Sequence, residues 1–128
     1  MRERPIITLD ILLGGSSEPG WSNVSASNNQ TYRYRYAGGD DGEGGIVAKV
    51  GNGKVSCVVQ MVADKRYQIR DCEFTNDPKE QLDFEGSGNA GVILDKNTET
   101  LDAKYTLHVT DTKNGGCNIP CDPRIINQ

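Results

Sequence analysis

The Asp122-Pro123 bond is the strongest candidate for chemistry in this sequence. An aspartyl carboxyl group can attack its own carbonyl carbon to give a cyclic anhydride, and the secondary amine of proline leaves readily once it is protonated. Asp122 would then be the internal nucleophile and Pro123 the leaving group. A second pair, Asp77-Pro78, shows that the dipeptide is also usual in turns. The alternative interpretation of Asp122-Pro123 is therefore the entry to an edge strand.

Asp102 is the candidate partner of this bond. It shares one face of a segment, 100–111, with Lys104, and the apolar residues of that segment fall on the other face. A second carboxyl group would supply a proton or activate a water molecule, and Asp102 is the nearest candidate. Lys104 by itself is interpreted as an ordinary solvated strand lysine.

Four cysteines and one histidine offer a second class of site. Cys57, Cys72, Cys117 and Cys121 would form two disulfides in an oxidising compartment or, with His108, a zinc site. Cys117 and Cys121 lie close together on a segment predicted to be an irregular loop, but there is no second tight pair. We therefore expect no metal and no cofactor. His108 has no second histidine or serine motif beside it and is interpreted as an exposed strand residue.

Length and composition restrict the fold and the partners. The 128 residues, 15 of them glycine and 35% of them hydrophobic, fit one turn-rich, strand-rich domain spanning 1–128. The net charge of −4 has the wrong sign for a protein whose main partner is a phosphate backbone, so nucleic acid is not an expected partner. The longest apolar segment, 6–13, is interrupted by Thr8 and Asp10, so a soluble protein without a membrane span is expected. Because no export signal is recognisable, the expected location is the cytoplasm.

Alternating side chains predict eight or nine strands and no helix. The predicted strands cover 6–13, 31–36, 46–50, 54–62, 66–74, 82–85, 91–96, 100–111 and 124–127. Short strands at this spacing predict an all-β fold, an antiparallel β-sandwich of the immunoglobulin-like or jelly-roll kind. The tyrosines of 31–36 are expected to point inward and the arginines outward. Trp21, the single tryptophan, is interpreted as part of the core.

Two tight turns set the predicted strand register. Asn52-Gly53 predicts a hairpin that joins the strands at 46–50 and 54–62. A turn at 64–65 would pair the strands at 54–62 and 66–74, and hence place Cys57 opposite Cys72. The two thiols would then pack together or, if oxidised, bridge adjacent strands.

Several short motifs resemble the small bacterial DP-EP family. They are the closing Asp-Pro-Arg-Ile-Ile-Asn (122–127), the pair Glu18-Pro19 ahead of the tryptophan, and the strand Asp-Ala-Lys-Tyr-Thr-Leu (102–107). Members of that family are β-sandwich proteins able to cleave themselves at a late Asp-Pro bond, and the aspartate can become cross-linked to a lysine on a preceding strand. The resemblance implies that Asp122 and Pro123 are the scissile pair and that Lys104 is the cross-linking lysine. In that role Lys104 would capture the anhydride only as a neutral amine, which requires that it lie close to Asp122 and be poorly solvated. The segment Cys117–Cys121 has no counterpart in that pattern.

Two functions from different classes follow from these observations. The first is a β-sandwich that cuts its own Asp122-Pro123 bond in a single turnover, with Asp102 and Lys104 taking part and the strand within 123–128 staying in place. The second is a non-catalytic β-sandwich that acts as a self-associating structural or interaction protein, so that its partner is another copy of itself.

Overall fold

Strands make up nearly all of the regular structure. The computed structural model describes residues 2–3, 6–40, 42, 44–51, 53–121 and 124–127. The strands are β1 (Arg2–Glu3), β2 (Ile7–Leu13), β3 (Ser22–Ser25), β4 (Thr31–Gly38), β5 (Ile46–Ala48), β6 (Val55–Met61), β7 (Tyr67–Thr75), β8 (Leu82–Ser87), β9 (Ala90–Asp95), β10 (Leu101–Asp111), β11 (Cys117–Cys121) and β12 (Arg124–Asn127). The described part of the chain contains no helix with the length and hydropathy needed to cross a bilayer.

The strands form two sheets. The seven-stranded sheet has the order β3-β4-β2-β6-β9-β8, and β1 also pairs with β6. The five-stranded sheet has the order β11-β10-β12-β5, with β7 on the opposite edge of β10. The predicted all-β class is confirmed. Antiparallel pairing was predicted throughout, but this is wrong for β1 and β2 beside β6 and for β12 beside β5, which are parallel because long connections separate these strands in the chain.

One face of each sheet contributes to a shared core. Alternate residues of β10 are buried, as predicted: Leu101, Ala103, Tyr105, Leu107 and Val109. Tyrosine rings from opposite sheets meet edge to face, with 6.2 Å between the ring centroids of Tyr32 and Tyr67 and 5.9 Å between those of Tyr36 and Tyr105. Such pairs add to the stability that burial provides. The inward direction predicted for the tyrosines is therefore confirmed for Tyr32 and Tyr36.

The predicted hairpin at Asn52-Gly53 is wrong. β5 belongs to the five-stranded sheet and β6 to the seven-stranded sheet, so the chain crosses between the sheets at this point. The side-chain amide of Asn97 donates hydrogen bonds to the carbonyls of Lys49 and Gly53, at 2.7 and 3.1 Å. These long-range contacts stabilise the crossing, and the local turn that the dipeptide favours does not join the two strands. Asn52 lies outside the described residues.

The predicted pairing of Cys57 with Cys72 is also wrong. Cys57 pairs with Ile93 in the seven-stranded sheet, whereas Cys72 pairs with Leu107 in the five-stranded sheet. The turn after β6 carries the chain to the other sheet and does not return it along β6. No disulfide bridge between adjacent strands can form from residues that lie on different sheets.

Trp21 is half-buried and does not belong to the core, contrary to the prediction. It immediately precedes β3, a strand that the sequence pattern did not reveal. β3 pairs with β4 in a register that places Ser22 opposite Tyr34, so the next pair along brings Trp21 beside Arg35. Residues that face each other across neighbouring strands point to the same side of a sheet. The tryptophan therefore lies with the arginines, on the outer face.

The segment predicted to be an irregular loop at Cys117–Cys121 is a strand. Its alternate residues Cys117, Ile119 and Cys121 are buried, while Asn118 and Pro120 are half-buried. The proline and the short length conceal this pattern in the sequence, because proline is usual only on edge strands. β11 lies at the end of the five-stranded sheet, where proline is tolerated.

Candidate functional site

The predicted scissile pair, Asp122 and Pro123, lies outside the described residues. The strands on either side of the pair both run along the same edge of β10. Leu107 pairs with Cys121, and Lys104 pairs with Arg124. β12 is also flanked by β5, so the C-terminal strand occupies an interior place in the five-stranded sheet.

Lys104 is exposed, contrary to the prediction that it is poorly solvated. Asp102 is exposed on the same face of β10, as the alternation predicted. The backbone carbonyl of Asp102 accepts a hydrogen bond of 2.7 Å from the side chain of Asn76, and that of Lys104 accepts one of 3.5 Å from Thr75. The exposed position does not supply the poor solvation that the predicted cross-link requires.

The other predicted Asp-Pro pair is a turn. Asp77 accepts hydrogen bonds of 3.0 Å from the backbone amides of Gln81 and Leu82, one on each carboxylate oxygen. It also lines an open groove of about 510 Å³ beside Glu80, Asp83 and Lys96. The carboxylate of Asp77 is thus engaged in closing the loop between β7 and β8.

Within the described residues the four cysteines form no disulfide bond with one another, and no group of three acidic, histidine or cysteine side chains is placed to hold a metal ion. Burial, together with the nearby acids Asp71 and Glu73, raises the pKa of Cys72 to about 12, which makes its thiolate scarce. His108 is half-buried and was predicted to be exposed. Its ring nitrogens lie 2.9 Å from Glu73 Oε1 and 3.2 Å from Asn118 Oδ1.

A buried ionic cluster joins the two sheets at the end of β10. Asp111 is fully buried and receives two hydrogen bonds of 2.8 Å from the guanidinium of Arg66. The Tyr32 hydroxyl, from the opposite sheet, donates to Asp111 at 2.6 Å. Asn114 in turn donates to the Tyr32 hydroxyl at 2.8 Å, and the Cys117 sulfur lies 3.4 Å from it.

The ionisation of this cluster follows from its contacts. Burial opposes the charge of Asp111, but the hydrogen bonds from Arg66 and Tyr32 outweigh it and lower the pKa of the carboxyl group. Burial and the hydrogen bond to Asp111 raise the pKa of Tyr32 well above its usual value. The hydrogen bonds to Asp111 raise the pKa of Arg66. The alternation of β10 already placed Asp111 on the inward face, which is the one sequence signal for the cluster.

The outer face of the seven-stranded sheet carries an apolar strip on its central strands β2 and β6. Four of the five large hydrophobic side chains that are exposed in the described chain occupy outward positions of these strands or their ends: Ile6 (52% exposed), Leu12 (39%), Val58 (41%) and Val62 (57%). The register Ile7 to Val59 places Ile6 beside Val58. We call these four residues the apolar strip. The outward residues Thr8, Asp10 and Gln60 separate Ile6 and Val58 at one end of the strip from Leu12 and Val62 at the other. Exposed apolar residues concentrated on two neighbouring strands are a candidate interaction surface.

An arginine–tryptophan cluster borders the strip. The guanidinium carbons of Arg33 and Arg35 lie 5.2 and 4.4 Å from the ring centroid of Trp21. Arg35 also lies 3.8 Å from the carboxylate of Asp10. We call Trp21, Arg33 and Arg35 the arginine–tryptophan cluster. The sequence showed the outward arginines, but only the pairing of β3 with β4 brings the tryptophan to them.

Comparison with known proteins does not assign the chain to a family. No protein-family model matches the chain, and no curated protein sequence matches it. Among solved structures, the chain is similar to the crystal structure of the inclusion body protein PixA from Burkholderia cenocepacia, with 12% sequence identity, 98% of this chain and 94% of that chain covered, and a TM-score of 0.33. A likeness at this level shows neither a family nor a function.

Proposed function

We propose that this protein is non-catalytic and associates with other copies of itself through the apolar strip. The observation that carries the proposal is the concentration of exposed Ile6, Leu12, Val58 and Val62 on two neighbouring central strands. The four side chains are 39–57% exposed, so a two-fold contact that covers the strip twice would bury the remaining half of eight side chains. The gain is roughly 6–12 kcal/mol, which is comparable with the entropy cost of association.

The surroundings of the strip support this use. A central strand is already hydrogen-bonded on both edges, so two copies would meet through side chains and not by extending the sheet. Arg35 on β4 and Glu85 on β8, which lie on opposite sides of the strip, are exposed polar groups that would form the rim of the contact.

The strand order supports a jelly-roll sandwich. Successive strands cross between the two facing sheets, from β4 to β5 to β6 to β7.

Val58→Glu is expected to weaken self-association at least about tenfold, equivalent to about 1.4 kcal/mol. A carboxylate at this position would be desolvated without a partner when two copies meet. The side chain is 41% exposed in the single chain, so folding is expected to tolerate the change. Sedimentation velocity over a range of protein concentrations measures the association.

The matched control is Gln68→Glu, which adds the same charge at an exposed position of β7 on the five-stranded sheet. It should associate as the unaltered chain does. A monomer at all concentrations for the unaltered chain, or equal weakening by both substitutions, would contradict the proposal.

We also propose, as a second candidate function, self-cleavage at Asp122-Pro123. Its support is the strand pairing, because β12 follows the pair directly and lies beside Asp102 and Lys104 on β10. A peptide released at Pro123 would keep its ladder bonds to β10 and β5 and stay in the sheet. The exposure of Lys104 favours hydrolysis of the anhydride over capture by the amine.

Intact mass under denaturing conditions decides between these functions. Hydrolysis adds one water across the bond and gives the fragments 1–122 and 123–128. Capture by Lys104 releases the same peptide but leaves the larger fragment one water lighter, because an amide to the lysine nitrogen replaces the acid. Asp122→Ala should abolish either product, and the Asp77-Pro78 bond should survive, since the Asp77 carboxylate is engaged by two amides. A full-length mass, or equal cleavage at both Asp-Pro bonds, argues against folding-driven cleavage.

A further inference from the structure

We propose that the arginine–tryptophan cluster is a binding site for an oxyanion, a phosphate, sulfate or carboxylate group carried by a ligand. The proposal does not rest on self-association, although Arg35 also lies at the rim of the apolar strip. Two guanidinium groups share one aromatic ring, at 5.2 and 4.4 Å from its centroid. A guanidinium presents a planar fork of donors that matches two oxygens of such a group.

The strands of this edge hold the two arginines side by side. Arg33 and Arg35 are alternate residues of β4 and so point to the same face. Pairing with β3 places Asn23 opposite Arg33 and brings Trp21 opposite Arg35. Gly20, with a φ of +93°, lets the chain turn into β3 just before the tryptophan.

The indole reduces the freedom of both arginines. Each cation is attracted to the face of the ring, which is half-buried and hence partly shielded from water. A long side chain that is already confined loses less entropy when it binds a ligand. The repulsion between two neighbouring cations is also relieved when an anion lies between them.

The donors of the two guanidiniums are largely unused by the described part of the protein. Arg33 donates one long hydrogen bond, of 3.5 Å, to the carbonyl of Gly15. Arg35 has an ion pair of 3.8 Å with Asp10, in which the side chains are 48% and 28% exposed. A guanidinium carries five N–H groups, so most remain for a ligand.

The local charge favours an anion despite the acidic chain. The net charge of the protein is −4, but the cluster holds two cations, and among the described residues only the carboxylate of Asp10 forms an ion pair with them. The field of more distant acids is screened beyond about 10 Å at ordinary ionic strength. Asp10 is also a competitor for Arg35, so an anion must displace or share that contact.

Trp21 makes the site directly observable, because it is the only tryptophan of the chain. Its fluorescence would be titrated with sodium phosphate, sodium sulfate and sodium acetate, each at an ionic strength held constant with sodium chloride. We expect a saturable change with at least one of the three anions. Tighter binding of phosphate or sulfate would indicate a ligand with a tetrahedral oxyanion, and tighter binding of acetate would indicate a ligand with a carboxylate. Titrations at two protein concentrations separate anion binding from self-association.

Arg33→Gln and Arg35→Gln should each weaken this binding about tenfold or more, because each removes charge-assisted hydrogen bonds. Arg70→Gln, at an exposed arginine of β7 on the other sheet, is the matched control and should bind as the unaltered chain does. Arginine Nε–H shifts in nuclear magnetic resonance spectra provide a readout that does not depend on fluorescence. The proposal is overturned if neither method detects saturable binding of any of the three anions, or if a variant that carries both Arg33→Gln and Arg35→Gln binds as tightly as the control.

Discussion

Asp111→Asn is expected to lower the free energy of unfolding by about 3 kcal/mol. The carboxylate is fully buried and accepts hydrogen bonds from Arg66 and Tyr32, which come from different sheets. Removal of one partner from a buried ion pair leaves the other charge uncompensated. Because Arg66 is 25% exposed and can be hydrated, the loss of stability is expected at the lower end of the usual range for such pairs. Urea unfolding at neutral pH measures it.

The same substitution should change the pH dependence of stability. The pKa of Asp111 is lowered in the folded protein, so the unfolded chain binds more protons in the acid range. The contribution of Asp111 is complete above the ordinary carboxyl pKa of about 3.9 and is lost as the pH falls through the folded-state pKa. Asp111→Asn should therefore lose less stability on acidification than the unaltered chain.

Glu85→Gln is the matched control for this loss of one carboxylate. Glu85 is exposed on β8, and its substitution should change stability by less than about 0.5 kcal/mol. If Asp111→Asn were as stable as Glu85→Gln at neutral pH, the buried cluster would not hold the sheets together.

Leu107→Ala is expected to destabilise the protein by about 2–5 kcal/mol. Leu107 is fully buried in β10 and pairs with Cys72 on one side and Cys121 on the other. The loss of stability combines the transfer free energy of the missing methyl groups with the cost of the cavity that remains. The strands on both sides of β10 prevent the core from closing around that cavity. Thermal and urea unfolding measure the loss.

Lys104→Ala tests the same strand without the cavity. Lys104 is exposed on the opposite face of β10, so its truncation should cost less than about 0.5 kcal/mol. A similar loss for both variants would mean that β-propensity, and not packing, sets the stability of β10. Because β10 pairs with both β11 and β12, its packing also fixes the strand that follows Asp122.

Local patterns were sufficient to predict most strands. The alternation in 100–111 matches β10 with its inward residues, and the Tyr-Arg alternation matches β4. This is so because the side-chain period of a strand is a property of the extended backbone itself and needs no partner. The alternation also separates the inward Tyr32 and Tyr36 from the outward Arg33 and Arg35.

The sequence by itself determined the all-β class and the inward and outward faces of strands such as β4 and β10, but only the tertiary structure decided which strands are neighbours. Asn52-Gly53 favours a hairpin, yet β5 and β6 lie in different sheets, and the hydrogen bonds of Asn97 stabilise the crossing between them. Pairing between distant strands depends on competition among all edges for burial and hydrogen bonds, which no local pattern records. That competition brings Arg66 to Asp111 and Trp21 to Arg35, so both the buried cluster and the proposed anion site arise from tertiary structure.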